Sequence, residues 1–176
     1  MGASAGRRRG PIGGLVLDSE LKERLAVRMA ISAILRAVDT VNKELGGDIT
    51  LALVFAAVLE ANIGHLSRTP EAAAGLEGMD RVPPDSMRRP VTGVALAATL
   101  GIPNETVRRK VKTLIAQGLL ARVEGGLIVP TQVMAGEQMT RICRASFLNL
   151  RRLYIHLKRI GVSLEDDGSD LEALPA

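Results

Sequence analysis

The chain of 176 residues (18.7 kDa) is 47% hydrophobic and 24% charged, a globular composition that excludes wholesale disorder, collagen-like structure and a disulfide-stapled scaffold. One cysteine and two histidines cannot complete a four-ligand zinc site without carboxylates, and no cofactor is expected. The few aromatic residues cannot build a stacking platform for single-stranded nucleic acid, whereas a net charge of +4 permits a polyanionic partner.

Residues 1–17 are predicted to form a flexible basic arm, because glycines, one proline and three consecutive arginines cannot bury enough apolar surface. The arm either follows a DNA minor groove or is an inert tail. The apolar stretch after Arg9 is short and broken by Pro11, so it does not resemble a signal peptide. The longest apolar run, residues 51–59, is about half the length that a bilayer core requires. We expect a cytoplasmic, nucleoid-associated protein with no membrane partner.

The first predicted helix lies within residues 18–47, which we interpret as an N-terminal dimerisation helix. Asp18 or Ser19 caps it, and two glycines, Gly46 and Gly47, end it. Its apolar residues recur at spacings of three and four, as in a heptad seam. An ordinary amphipathic helix on its own core is the alternative, since fewer than three heptads are present. The seam residues predicted to dimerise are Val27, Ile31, Ile34, Val38 and Val41.

A second helix is predicted from Asp48, a favourable N-cap, to about Leu66. Residues 51–59 are apolar on every side, which predicts a central and buried helix. The connector that follows, residues 67–90, contains four prolines and a short predicted helix at residues 69–76.

From Val91 onward the pattern is two short helices and a hairpin. Thr92 caps a helix at residues 93–100, Gly101 turns the chain, and a second helix covers about residues 104–117 before Gly118 ends it. Two apolar runs, residues 119–123 and 127–129, are joined through paired glycines, which predicts a tight hairpin.

The last predicted helix covers residues 134–160, within a segment, 133–161, that we interpret as a C-terminal dimerisation helix. Leu150, Leu153 and Leu157 are its predicted dimerisation residues, because they follow a spacing near 3.5. The remaining residues, 162–176, form an acidic tail that we expect to be solvated and disordered.

The segment from residue 48 to residue 132 has the chain order of a winged helix-turn-helix: a buried helix, two short helices around a glycine, and a glycine-tipped hairpin. Ala97, four residues before Gly101, is the small residue that lets the two helices cross closely. Lys110 departs from the pattern, since an apolar residue is usual there. The apolar positions that join the helices are Leu96, Leu100, Ile102 and Val107.

Residues 88–120, from Arg-Arg-Pro-Val-Thr-Gly to Ala-Gln-Gly-Leu-Leu, resemble bacterial winged-helix transcription regulators. With a helix for dimerisation on each side, the order is similar to the MarR family, although the N-terminal arm and the long connector depart from that compact pattern. The resemblance implies a mainly α fold with a small β-hairpin wing, in which a DNA-binding domain at residues 48–132, with its connector at 67–90, is flanked by dimerisation helices. It further implies a homodimer whose partner is double-stranded DNA.

The helix at residues 104–117 is expected to be the recognition helix, because its outward face is mostly cationic. Arginine can read guanine and Asn104 can bond adenine, whereas lysine suits phosphates. Residues 88–122 hold seven basic residues against one acid, a balance of +6 that exceeds the +4 of the whole chain. A merely solvated face is the alternative. The predicted DNA contacts are Arg88, Arg89, Thr92, Asn104, Glu105, Thr106, Arg108, Arg109, Lys112 and Arg122.

Two other functions compete with DNA-binding regulation. A winged helix that joins a chromosome-associated assembly through protein contacts is the alternative, and it would favour apolar residues where Arg109 and Lys112 stand. An enzyme has little support, since no phosphate-binding glycine motif is present.

Two sequence features would allow the activity of the protein to be regulated, one by oxidation and one by a small molecule. Cys143 lies near Arg141 and Arg144, which would lower the pKa of its thiol in a redox sensor, although an inert buried cysteine is the commoner role. Methionines near the connector would suit a pocket for a small-molecule effector, although methionine is more often plain core. They are Met79, Met87, Met134 and Met139.

Overall fold

The structure, a computed structural model, describes residues 18–67 and 82–162 and is mainly helical with one two-stranded hairpin. The predicted fold class is confirmed. The arm at 1–17, the short helix at 69–76 and the tail beyond Val162 lie outside the described residues. The elements are α1 (Ser19–Glu44), α2 (Ile49–Ile63), α3 (Gly93–Leu100), α4 (Asn104–Ala116), β1 (Ala121–Val123), β2 (Gly126–Ile128), α5 (Thr131–Met134) and α6 (Glu137–Arg159), with 3₁₀ turns at Gly64–Ser67 and Asp85–Met87.

The chain divides into two compact units. One is Leu35–Asn149, which contains the helix-turn-helix, and the other combines Met1–Ile34 with Leu150–Ala176. In the described part of the second unit, Gly161 ends the last helix with a φ of 79° and lies beside Lys22. Large apolar side chains are exposed in this unit: Leu21, Val27, Ile31, Ile34, Leu150, Tyr154 and Ile155.

α2 buries one face and exposes the other. The Asp48 side chain caps it, accepting a hydrogen bond from the Leu51 amide at 3.0 Å. Leu53 is 41% exposed, so the prediction of burial on every side is wrong. By length and composition Ile49–Leu66 could cross a membrane, with a mean hydropathy of 1.7. Packing of its buried face against α3 and α4 accounts for that composition.

α3 and α4 form the helix-turn-helix at the predicted positions. The Thr92 hydroxyl accepts a hydrogen bond from the Ala95 amide at 3.2 Å and so begins α3. Gly101 adopts a left-handed conformation (φ 61°), and its amide donates to carbonyls of the last turn of α3. Because a side chain is disfavoured there, glycine lets the chain reverse into α4.

The wing is an antiparallel pair of strands in which Arg122 lies opposite Leu127. Val91 extends this sheet through backbone hydrogen bonds with Leu127 of 2.9 and 3.2 Å. Gly126 has a φ of 149°, and an added Cβ would lie 2.4 Å from the Val91 carbonyl oxygen. A side chain at this position would therefore push the wing away from the segment that begins the helix-turn-helix.

The core of the Leu35–Asn149 unit lies among α2, α3, α4 and β2, and residues of α1 and α6 complete it. Val41, predicted to dimerise, packs against this core instead. The last turn of α1 is held there because Glu44 pairs with Arg141 of α6 at 3.0 Å. The C-terminal end of the seam predicted along α1 therefore packs against the core of this unit.

The final helix is shorter than predicted. A single helix was expected over residues 134–160, whereas α5 ends at Met134 and α6 begins at Glu137. Ala135 and Gly136 close the last turn of α5 through backbone hydrogen bonds to Thr131 and Val133.

Candidate nucleic-acid interface

α4 separates an apolar face from a charged one, as its residue spacing predicts. Val107, Val111 and Leu114 are buried against the core. The exposed side chains of α4 include Glu105, Arg108, Arg109 and Lys112, and Thr106 is half-buried.

An open groove, which we call the cationic groove, lies between α4 and the wing strand β1. Arg122, on β1, contributes to the same surface as the charged residues of α4. A neighbouring concavity shares Arg108 and Arg122 and includes Val94 and Asn104 at the starts of α3 and α4. Several cations around one open surface attract a phosphate backbone. The cationic groove is lined by Glu105, Arg108, Arg109, Lys112, Ile115 and Arg122.

The cations of this groove differ in their partners. Arg108 donates through Nε and Nη2 to the two carboxylate oxygens of Glu105, each at 2.8 Å. This pairing lowers the pKa of Glu105 and raises the pKa of Arg108. The side chains of Arg109, Lys112 and Arg122 make no hydrogen bond or ion pair with the residues that the structure describes. They are available to a ligand.

Arg88 lies outside this surface, contrary to the prediction that it contacts DNA. Its side chain is completely buried and pairs with Asp85 at 3.2 Å, while Nη2 donates to the Pro83 carbonyl. Asp85 also accepts hydrogen bonds from the amide and hydroxyl of Thr131, each at 2.7 Å, and the hydroxyl bond lowers the pKa of Asp85. Asp85 therefore joins the second 3₁₀ turn to α5, and the buried Arg88 side chain pairs with Asp85 inside this cluster, away from the candidate interface.

Arg89, Thr92 and Asn104 have exposed side chains. Thr92 already acts as the cap of α3, and Asn104 opens α4 beside the concavity that contains Arg122. Arg89 precedes the helix-turn-helix, and only its backbone has hydrogen-bond partners among the described residues. All three stay predicted contacts.

Lys110, which departs from the usual pattern, has a structural role. Its ammonium group forms an ion pair with Asp48, the N-cap of α2. This hydrogen bond is the largest cause of the lowered pKa of Asp48. Lys110 therefore links α4 to α2 and is not available to phosphates.

Asn62 is a positioning residue that the sequence analysis missed. It is completely buried in α2. Its Nδ2 donates to the carbonyls of Arg89 (2.7 Å) and Leu127 (3.1 Å), and its Oδ1 accepts from the Val129 amide at 2.8 Å. One side chain thus ties α2 to both the wing and the segment before α3. The sequence signal that could have identified Asn62 is its position as a polar residue among the apolar residues of α2.

Cys143 is half-buried. Burial raises the pKa of its thiol, the direction opposite to that expected from the neighbouring arginines. A raised pKa leaves less reactive thiolate at neutral pH, so the redox-sensor interpretation loses its basis.

Comparison with known families matches residues 89–133 to the DeoR-like helix-turn-helix domain. This segment contains α3, α4 and the wing, about a quarter of the chain. No curated protein and no solved structure matches the chain significantly. The fold, the cationic groove and this similarity define a DNA-binding winged helix-turn-helix of the regulator type, with double-stranded DNA as its partner. The match does not reach α1 or α6 and so does not bear on a MarR-like arrangement.

Proposed function

We propose that the protein is a homodimeric, sequence-specific transcription regulator that binds double-stranded DNA with α4 in the major groove. The observation that carries the proposal is the cationic groove, in which Arg109, Lys112 and Arg122 are exposed and available. Arginine can bind guanine O6 and N7 together, while lysine binds phosphates. Such a regulator would act in the cytoplasm, at the nucleoid.

The proposed dimer uses the apolar faces of α1 and α6 in a MarR-like arrangement. Val27, Ile31 and Ile34 are spaced by four and three residues and are 57%, 51% and 62% exposed. Large apolar side chains left in water at this spacing are typical of a face that packs on another helix. On α6, Leu150 and Tyr154 are exposed as well. Val38, Leu153 and Leu157 are half-buried and would lie at the edge of such a contact.

The exposed face of α4 also bears on the alternative, a protein-interaction module. Such a module would expose apolar side chains there, whereas α4 exposes Arg109 and Lys112, which favours DNA. A small-molecule effector has weaker support, since Met139 belongs to the core and Met79 lies outside the described residues. Of the four methionines, only Met87 and Met134 still support the predicted effector pocket.

Gel-shift titrations test the proposal. The probes are duplexes that the protein selects from a randomised pool, fragments of its own promoter region, and scrambled duplexes of the same composition. We expect the selected duplex to bind about 10³-fold or more tightly than the scrambled one, with an affinity that falls steeply as salt rises. Equal affinity for every duplex would exclude sequence-specific regulation, and no binding would exclude DNA as the partner.

A further inference from the structure

The contact between Arg108 and Glu105 fixes the direction of a guanidinium on the recognition helix. Two parallel hydrogen bonds of 2.8 Å use the Nε and Nη2 edge of Arg108. A guanidinium has five N–H donors, so its outer edge, formed by Nη1 and Nη2, keeps donors for a second acceptor. Guanine O6 and N7 match that edge in the major groove. The contact therefore favours one orientation of the Arg108 guanidinium and leaves its outer edge able to read a base.

The Glu105 carboxylate also weakens attraction to phosphate. It is the acidic residue in the lining of the cationic groove, and its side chain is 61% exposed. An ion pair this exposed contributes little to the stability of the fold. Beside a DNA backbone, the carboxylate repels phosphates and offsets the charge of Arg108. The pair thus lowers the sequence-independent part of binding.

We infer that Glu105 determines DNA specificity by holding the Arg108 guanidinium toward a guanine while penalising contacts of the groove with phosphate. This inference rests on the proposed function and assigns a role within it. Glu105 acts through Arg108, so it is a positioning residue. Its loss should raise the affinity for non-specific DNA more than the affinity for the preferred site, so that the ratio of specific to non-specific affinity falls.

The test is Glu105→Gln in the full chain, with the selected duplex and a scrambled duplex as probes. Glutamine keeps the size of the side chain and removes its charge. We expect affinity for the scrambled duplex to rise about threefold and the salt dependence to steepen by up to one unit, because one more phosphate is neutralised. Affinity for the selected duplex should rise less, so that the specificity ratio falls.

Glu124→Gln is the matched control, since Glu124 is an exposed acid of the hairpin turn with no ion pair among the described residues. It changes net charge equally and should leave the specificity ratio at the wild-type value. In an Arg108→Ala background, Glu105→Gln should no longer change the ratio.

Three results would overturn the inference: an unchanged ratio in Glu105→Gln, an equal change in Glu124→Gln, or a full effect without Arg108. In each case a wild-type protein that still discriminates between the duplexes leaves the proposed function standing. A wild-type protein that does not discriminate overturns both.

Discussion

At the scale of single residues, Arg109 and Lys112 should differ in what they contribute to binding. Lys112→Ala should weaken binding to all duplexes similarly and reduce the salt slope by about one unit, because a phosphate contact carries no base information. Arg109→Ala should cost about 1 to 3 kcal/mol on the preferred duplex and relax the preference at one base pair per half-site. Fluorescence anisotropy titrations at several salt concentrations measure both quantities.

Lys158→Ala, an exposed lysine on α6 outside the cationic groove, is the control for these variants and should leave affinity unchanged. If Arg109→Ala and Lys112→Ala weakened preferred and scrambled DNA equally, the base-reading role of Arg109 would be wrong.

Asn62 supports a prediction about stability. Asn62→Ala removes hydrogen bonds to the carbonyls of Arg89 and Leu127 and leaves the buried Val129 amide without its partner, while the Leu127 carbonyl keeps its bond from the Val91 amide. We expect it to lower the free energy of unfolding by about 2 to 4 kcal/mol, measured by urea titration. Asn104→Ala makes the same chemical change at an exposed position and should stay within about 0.5 kcal/mol of the wild type. Equal effects would mean that the Asn62 hydrogen bonds do not stabilise the wing.

At the scale of elements, the ion pair between α2 and α4 should make stability depend on pH. The pKa of Asp48 is lowered in the folded state, chiefly by its hydrogen bond from Lys110. Its contribution is therefore present above the ordinary aspartate pKa of about 3.9 and is lost as pH falls toward the lowered value. Because Asp48 is partly solvated, we expect the loss to be at most about 1 kcal/mol.

Urea unfolding at pH 7 and pH 3, at one protein concentration, measures this loss. Asp48→Asn keeps the N-cap and should lose less stability between the two pH values than the wild type. Lys110→Met should behave similarly, since it removes the partner. A loss in Asp48→Asn equal to that of the wild type would remove the ion pair as the cause.

The starts of α2, α3 and α4 and the turn after α3 could be predicted because their signals are local. Thr92 and Asp48 cap helices with their own side chains, and Gly101 permits a backbone conformation at its own position. The amphipathic division of α4 follows from residue spacing alone. This is why the helix-turn-helix and the exposed face of α4 agree with the structure.

The roles that the sequence did not reveal belong to residues that are buried by packing or have distant partners. Arg88 was predicted to contact DNA, but its side chain is buried and pairs with Asp85, which also binds Thr131, 46 residues after Asp85. Lys110 pairs with Asp48, 62 residues earlier. Neither the burial of Arg88 nor the partner of Lys110 has a sequence signal, so the count of basic residues in 88–122 included both in the cationic balance.

At the scale of the whole molecule, light scattering at micromolar concentration should give twice the chain mass of 18.7 kDa. Ile34→Asp should yield monomers, because a charge in an apolar helix interface is left without a partner. Leu53→Asp, at an exposed apolar position of α2, should remain dimeric. A wild-type monomer that binds DNA tightly would exclude the proposed dimer.

The proposed dimer also predicts the geometry of its DNA site. A twofold axis places two recognition helices on successive major-groove faces, so half-site centres should lie about 10 base pairs apart. Inserting about five base pairs between them rotates one half-site by half a turn and should abolish dimer binding in footprinting. Substituting the central base pairs without insertion should preserve binding at this spacing. Unchanged affinity after the insertion would mean that the two helices bind independently.

The contacts of Asn62 have a consequence for the order of folding. They join residues 27, 65 and 67 positions apart, whereas α3 and α4 are neighbours along the chain. Closing a long loop costs entropy before its contacts form, so the pairing of α3 with α4 should precede attachment of the wing. Under native conditions the wing should therefore detach before α3 and α4 separate. Amide protons of β2 should exchange with solvent through a partial opening that leaves those of α4 protected.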